Sequence, residues 1–141
     1  MRCRICRTEI SKYKETRETF VRKKEEQFKE ELKNSIEMSM KALGGKGKNL
    51  FLREGWKFIP QYNIGHRKVF VIERLRYVRT EGKPAHHTHR KKGEIEYRIG
   101  YFIIGKKGNR KRRWTWGQFC PLIPRKDLSK IFRAARRLRP R

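Results

Sequence analysis

Apolar side chains recur along the first third of the chain at helical spacing. Val21, Phe28, Leu32, Ile36, Met40 and Leu43 follow one another at steps of seven, four, four, four and three, with Phe20 beside Val21. That spacing draws one stripe down a helix predicted over 12–43. Charges of both signs, such as Glu26 with Glu30 and Lys29 with Lys33, fill the rest of its surface. Gly44-Gly45 offers a stop that tolerates left-handed backbone. The stripe is read as packing on the body, with a partner protein or a homodimer seam through the 12–43 helix as the other use.

From Leu50 the period changes to two. Trp56, Phe58 and Ile59 belong to a first strand that stops at Pro60. A second strand runs over Lys68–Arg79, with Val69, Val71, Leu75 and Tyr77 on one side, interrupted by Glu73. Phe70, Ile72, Arg74, Arg76 and Val78 take the other side. A third covers Glu94–Ile104, where Ile95, Tyr97, Ile99, Tyr101 and Ile103 alternate without a break. A fourth, around Arg113–Phe119, follows a turn at Gly105–Asn109 and makes an antiparallel hairpin with the third. Pro124 suits a helix start, and Leu128, Ile131, Phe132, Ala135 and Leu138 form the apolar face of a final helix.

The predicted fold is therefore α+β: a long N-terminal amphipathic helix, an antiparallel sheet of about four strands, and a basic C-terminal helix. Residues 1–49 would form the helical segment and a basic linker, and 50–141 the sheet with its helix, in one compact body.

Charge changes this picture from scaffold to partner. The 141 residues hold 40 Lys and Arg against 14 acids, a net charge of +26. Residues 1–54 carry 15 basic and 9 acidic side chains, and 55–141 carry 25 and 5. A compact body this positive repels itself, and a polyanion relieves that repulsion. The apolar share is 35%, but eight Phe, five Tyr and three Trp supply core volume that disordered chains lack. No run of apolar residues is long enough to span a bilayer, so no membrane partner is expected. Three cysteines, without an apolar leader after Met1, point to a reducing, cytoplasmic setting.

Within the basic part, Lys106, Lys107, Arg110, Lys111, Arg112 and Arg113 place six cations in eight residues at the predicted hairpin tip. Such a tip reaches phosphates, and the adjacent Trp114 could stack on an unpaired base. Trp116 shares its parity and is read as core. Arg133, Arg136 and Arg137 lie about a turn apart on the last helix, each with a planar fork suited to phosphate. Arg90, Lys91 and Lys92 form a third basic patch after His86, His87 and His89.

Two chemical readings compete with binding. Cys3-x-x-Cys6 and His86-x-x-His89 would together supply four zinc ligands, although phosphate-binding histidines in a polar loop are simpler. Glu73, Glu94 and Glu96 could gather as the carboxylates of a metal-dependent nuclease, although ion pairs to Arg74, Arg76 or Arg98 explain them more simply. No cofactor is expected, and little else suggests an enzyme.

The stretches Glu96-Tyr97-Arg98-Ile99-Gly100-Tyr101, Trp114-Thr115-Trp116-Gly117-Gln118 and Pro121 to Leu128 carry a resemblance. They resemble a group of small, uncharacterised prokaryotic proteins with a Tyr-Arg-Ile-Gly-Tyr strand, a Trp-Gly-Gln turn and a Pro-x-x-Asp-Leu helix start. The resemblance spans the last third of the chain and implies a fold unit without an activity. The expected function is non-enzymatic binding of nucleic acid, RNA before DNA, in a ribosome- or ribonucleoprotein-associated setting. A small nuclease of a mobile element or defence system, or a basic adaptor on an acidic protein, are the alternatives.

Overall fold

The computed structural model describes residues 14–41, 46–61, 67–83, 90–117 and 120–138. The first element among the described residues is helix α1 (Arg17–Lys33), capped by Thr16, whose hydroxyl accepts from the Thr19 amide. Six strands follow: β1 (Glu37–Lys41), β2 (Lys48–Pro60), β3 (Lys68–Glu81), β4 (Ile95–Ile104), β5 (Trp114–Trp116) and β6 (Leu122–Pro124). Helix α2 (Arg125–Arg137) closes the chain. The strands form one antiparallel sheet in the order β1-β2-β3-β4-β5, with β6 also paired to β4. β5 covers Phe102–Ile104 of β4, and β6 covers Glu96–Arg98, so two short strands share one edge.

The architecture is α+β, as expected, but the sheet has more strands and the first helix is half the predicted length. That helix stops at Lys33 through backbone geometry. The Ile36 amide bonds to the Glu31 carbonyl and the Ser35 amide to the Leu32 carbonyl, with Ser35 itself at φ 52°. This closure needs one residue in the left-handed region, and serine fills it without the glycine on which the predicted stop relied. Met40, expected on the helix stripe, instead sits on β1 two residues from Met38, and both pack against Phe51, Leu75 and Tyr77. Leu32 and Ile36 are exposed, whereas Phe20 and Phe28 are buried against the sheet, so the stripe serves the body's own core. Because β1 pairs with β2 from Lys41↔Lys48 onward, Glu37–Lys41 and the start of β2 before residue 50 belong to the same sheet.

One bulge adds Glu54 to β2 and another adds Val78 to β3, as the register shifts there show. Bulges raise local twist and bend the strand. The first also resets parity, so that Phe51, Arg53, Trp56 and Phe58 all project to one face. That face carries Val69, Val71, Glu73, Leu75 and Tyr77 of β3, all buried. α1 lies over half of it. Phe20 stacks on Trp114 with centroids 5.0 Å apart and meets Phe102 edge-on at 4.9 Å. Phe28 packs with Trp56 and Phe58 in the same layer.

On β4 the residues on this face are Glu96, Arg98, Gly100 and Phe102, paired with Leu75, Glu73, Val71 and Val69. The unbroken alternation Ile95–Ile103 therefore marks the opposite face. Gly100 permits this packing: a Cβ there would lie 2.7 Å from Trp116 Cζ2 and 2.9 Å from Cys120 Sγ. Gly117 likewise seats the ring of Tyr101 on the other side of the sheet. The resemblance motifs thus meet, the Tyr-Arg-Ile-Gly-Tyr strand against the Trp-Gly turn.

Candidate nucleic-acid interface

The basic tip is a folded loop. Gly105 donates to the Arg113 carbonyl and accepts from the Arg112 amide, both at 2.9 Å, and a single 3-10 turn spans Gly108–Arg110. Gly108 and Arg112 adopt positive φ, and the Lys14 amide bonds to the Arg112 carbonyl at 3.1 Å. With the backbone thus fixed, Lys106, Lys107, Arg110, Lys111, Arg112 and Arg113 are all exposed.

The acids of the body are arranged in the opposite way. Glu73 is fully buried between two arginines: Arg53 Nε donates to its Oε1 at 2.8 Å, and Arg98 Nε to its Oε2 at 2.5 Å. Arg53 extends the network to Glu31 of α1 at 2.5 Å, and its guanidinium lies 3.7 Å from the centre of the Phe28 ring. Arg98 also lies 4.4 Å from the Trp116 ring. Glu96 is held by Arg90 at 2.9 Å, and Glu54 by Arg76 and Arg74. Hydrogen bonding by Glu54 raises the Arg76 pKa, and hydrogen bonding by Arg79 lowers that of Glu81.

These pairings involve two of the carboxylates named for the nuclease alternative. Glu73 and Glu96 each have arginine partners, Glu94 is exposed just before β4, and no group of three or more metal-ligating side chains forms among the described residues. They also engage Arg90, leaving Lys91 and Lys92 as the exposed members of that patch. The proposed zinc ligands Cys3, Cys6, His86 and His89 lie outside the described residues. Cys120 is half-buried, and its thiol pKa is pushed up by burial, with Arg98 acting the other way.

Trp114 does not stand free to meet a base. Its ring is stacked on Phe20, and its indole N–H donates to the Glu15 carbonyl at 3.1 Å. Aromatic surface appears instead on the face of the sheet away from α1. There the register aligns Phe70 with Tyr101, Ile72 with Ile99 and Arg74 with Tyr97, all half-buried. Ile59, opposite Phe70 on β2, is 53% exposed. Lys68 lies at the end of this face nearest the tip, its ammonium 4.2 Å from the centre of the Tyr101 ring and 5.1 Å from that of Phe70. The unbroken odd-numbered alternation on β4 is the sequence signal for this face.

No family model, curated protein or solved structure matches this chain.

α2 adds a second cationic surface. Arg133, Arg136 and Arg137 are exposed, as are Lys126 and Lys130. Its predicted apolar face is exposed as well: Ile131 and Phe132 are each 45% accessible and Leu138 82%. The helix touches the sheet through β4 and β6, with Leu128 half-buried. No described helix is long and apolar enough to cross a membrane.

Proposed function

We propose that this chain binds nucleic acid, RNA in preference to DNA, and performs no reaction on it. The observation that carries this reading is the segregation of charge. The carboxylates at the centre of the sheet are engaged by arginines, while six cations stand exposed on a backbone-fixed tip. From Tyr97 to Arg141 there is one acid, Asp127, against fifteen Lys and Arg. Such a surface neutralises phosphates, and its affinity falls steeply with salt. Helices α1 and α2 are separated in sequence by the entire sheet, which does not favour a helix-turn-helix reading of duplex DNA.

The test is binding of labelled single-stranded RNA, duplex RNA and duplex DNA over a salt series, with magnesium and with chelator, each sample then run on a denaturing gel. Tight, salt-sensitive binding with intact strands supports the reading. Weak binding indifferent to salt overturns it, and metal-dependent cleavage replaces it with the nuclease.

The exposed Ile131, Phe132 and Leu138 favour one second reading, a basic adaptor whose α2 docks on an acidic, apolar-grooved protein. That reading predicts weak nucleic-acid binding and loss of the protein partner on Phe132→Ser.

A further inference from the structure

We infer that the sheet face centred on Phe70 and Tyr101 is a platform on which unpaired bases stack, so that single-stranded RNA is the preferred ligand. The inference rests on the nucleic-acid reading and adds to it the strand type and the residues that select it.

Three observations converge on this face. First, α1 packs on the opposite side, so the row Ile59–Phe70–Tyr101, with its two aromatic rings, is not covered by that helix. Second, the aromatics follow the pleat. Tyr97 and Tyr101 are four residues apart on β4 and on the same side, which places them roughly 13 Å apart along the strand. Third, the surrounding charge is positive. Lys57, Lys68, Arg74 and Arg76 share this face through their register with Ile72, Ile103, Tyr97 and Ile95, and Glu54, bonded to Arg76, is the acid beside them.

Lys68 links the two kinds of contact. Its ammonium rests over Tyr101 and Phe70, as a cation does over a ring's negative face. An incoming phosphate draws that ammonium away from the rings, and the exposed ring surface then accepts a base. The same residue sits at the row leading to the tip, since Lys68 pairs with Ile103 and Ile103 with Thr115. Phosphates held by Arg110–Arg113 would therefore continue onto the aromatic row. A duplex keeps its bases stacked internally and can use only the cations.

The test compares a mixed-sequence single-stranded RNA with its duplex on the wild type, on Phe70→Leu/Tyr101→Leu and on Lys68→Gln. Leucine keeps apolar volume and removes the π face. The double variant should lose about tenfold or more in affinity for the single strand, with duplex affinity unchanged. A single strand carrying 2-aminopurine should show its fluorescence quenched on binding the wild type, a readout independent of any variant. Equal losses on both ligands, no loss on either, or unquenched 2-aminopurine overturns the platform while leaving a phosphate-binding surface. Absence of wild-type binding to both RNAs overturns the underlying nucleic-acid reading and the platform with it.

Discussion

Arg98 on β4 and Glu73 on β3 face each other across the sheet, joined by two hydrogen bonds of 2.5 and 3.0 Å, with the carboxylate 0% exposed. Arg53 completes the enclosure from β2. Glu73→Ala would leave two largely buried guanidinium groups without their shared partner, which costs about 3–5 kcal/mol. Urea denaturation should show that loss, and Glu73→Gln, which retains an acceptor, should lose less. A stability change within about 0.5 kcal/mol for the alanine would show that the network contributes little.

The two helices should respond oppositely to truncation of their aromatic residues. Phe28 is buried among Trp56, Phe58 and the Arg53 guanidinium, so Phe28→Ala should destabilise by about 3–5 kcal/mol. Phe132 is 45% exposed, and Phe132→Ser should change stability by about 0.5 kcal/mol or less. Thermal unfolding of the pair of variants checks both.

Charge reversal at the tip should act on affinity without acting on fold. Arg110→Glu/Lys111→Glu/Arg113→Glu alters exposed side chains on a loop held by its own backbone bonds. Binding to every nucleic acid should weaken, and the slope of log affinity against log salt should become shallower by about 2–3. An unchanged slope would place the phosphate contacts elsewhere.

Cys120 supplies a prediction in pH. Burial raises its pKa, so the folded thiol stays protonated where an unfolded cysteine ionises, near about pH 8.5. Its contribution to stability therefore falls as pH rises through the unfolded value and levels off above the folded one. In a Cys3→Ser/Cys6→Ser background, iodoacetamide at pH 8.5 should label Cys120 slowly in the native protein and quickly in urea. Equal rates would contradict a thiol pKa raised by partial burial. The Glu81 carboxyl behaves in the reverse sense: its pKa is lowered chiefly by Arg79, so its stabilisation is present at neutral pH and is lost on acidification.

Much of the fold was legible because strands with one buried side announce their period. Lys68–Glu81 and Ile95–Ile104 fall within two residues of their expected bounds, and the β4–β5 hairpin forms with Phe102 opposite Trp116. The segment after Lys33 was not legible. Ile36 and Met40 fit a helical stripe, and Ile36, Met38 and Met40 fit an alternating strand, and a short apolar run does not distinguish the two. Ser35 in a left-handed conformation decides between them, and nothing in the residue type serine requires it.

The exposure of the cationic tip is legible in the sequence, because six cations in eight residues have no low-energy place in a core. Trp114 could not be placed from its neighbours, since the partner that stacks on it, Phe20, lies over ninety residues earlier in the chain. Glu73 interrupts an apolar strand face and reads as a defect until Arg53 and Arg98 are brought around it from two other strands.

By itself, the sequence determined the class of structure, the excess of positive charge and its concentration toward the C-terminal half. Those properties depend on composition and on local period, which the chain carries wherever it folds. Tertiary structure decided which β-face lies under α1, that Glu73 is enclosed, and that Phe70 and Tyr101 share a row with Lys68 above them. Each of those outcomes depends on strand register and on two bulges, and a shift of one residue in pairing would send every such side chain to the opposite face.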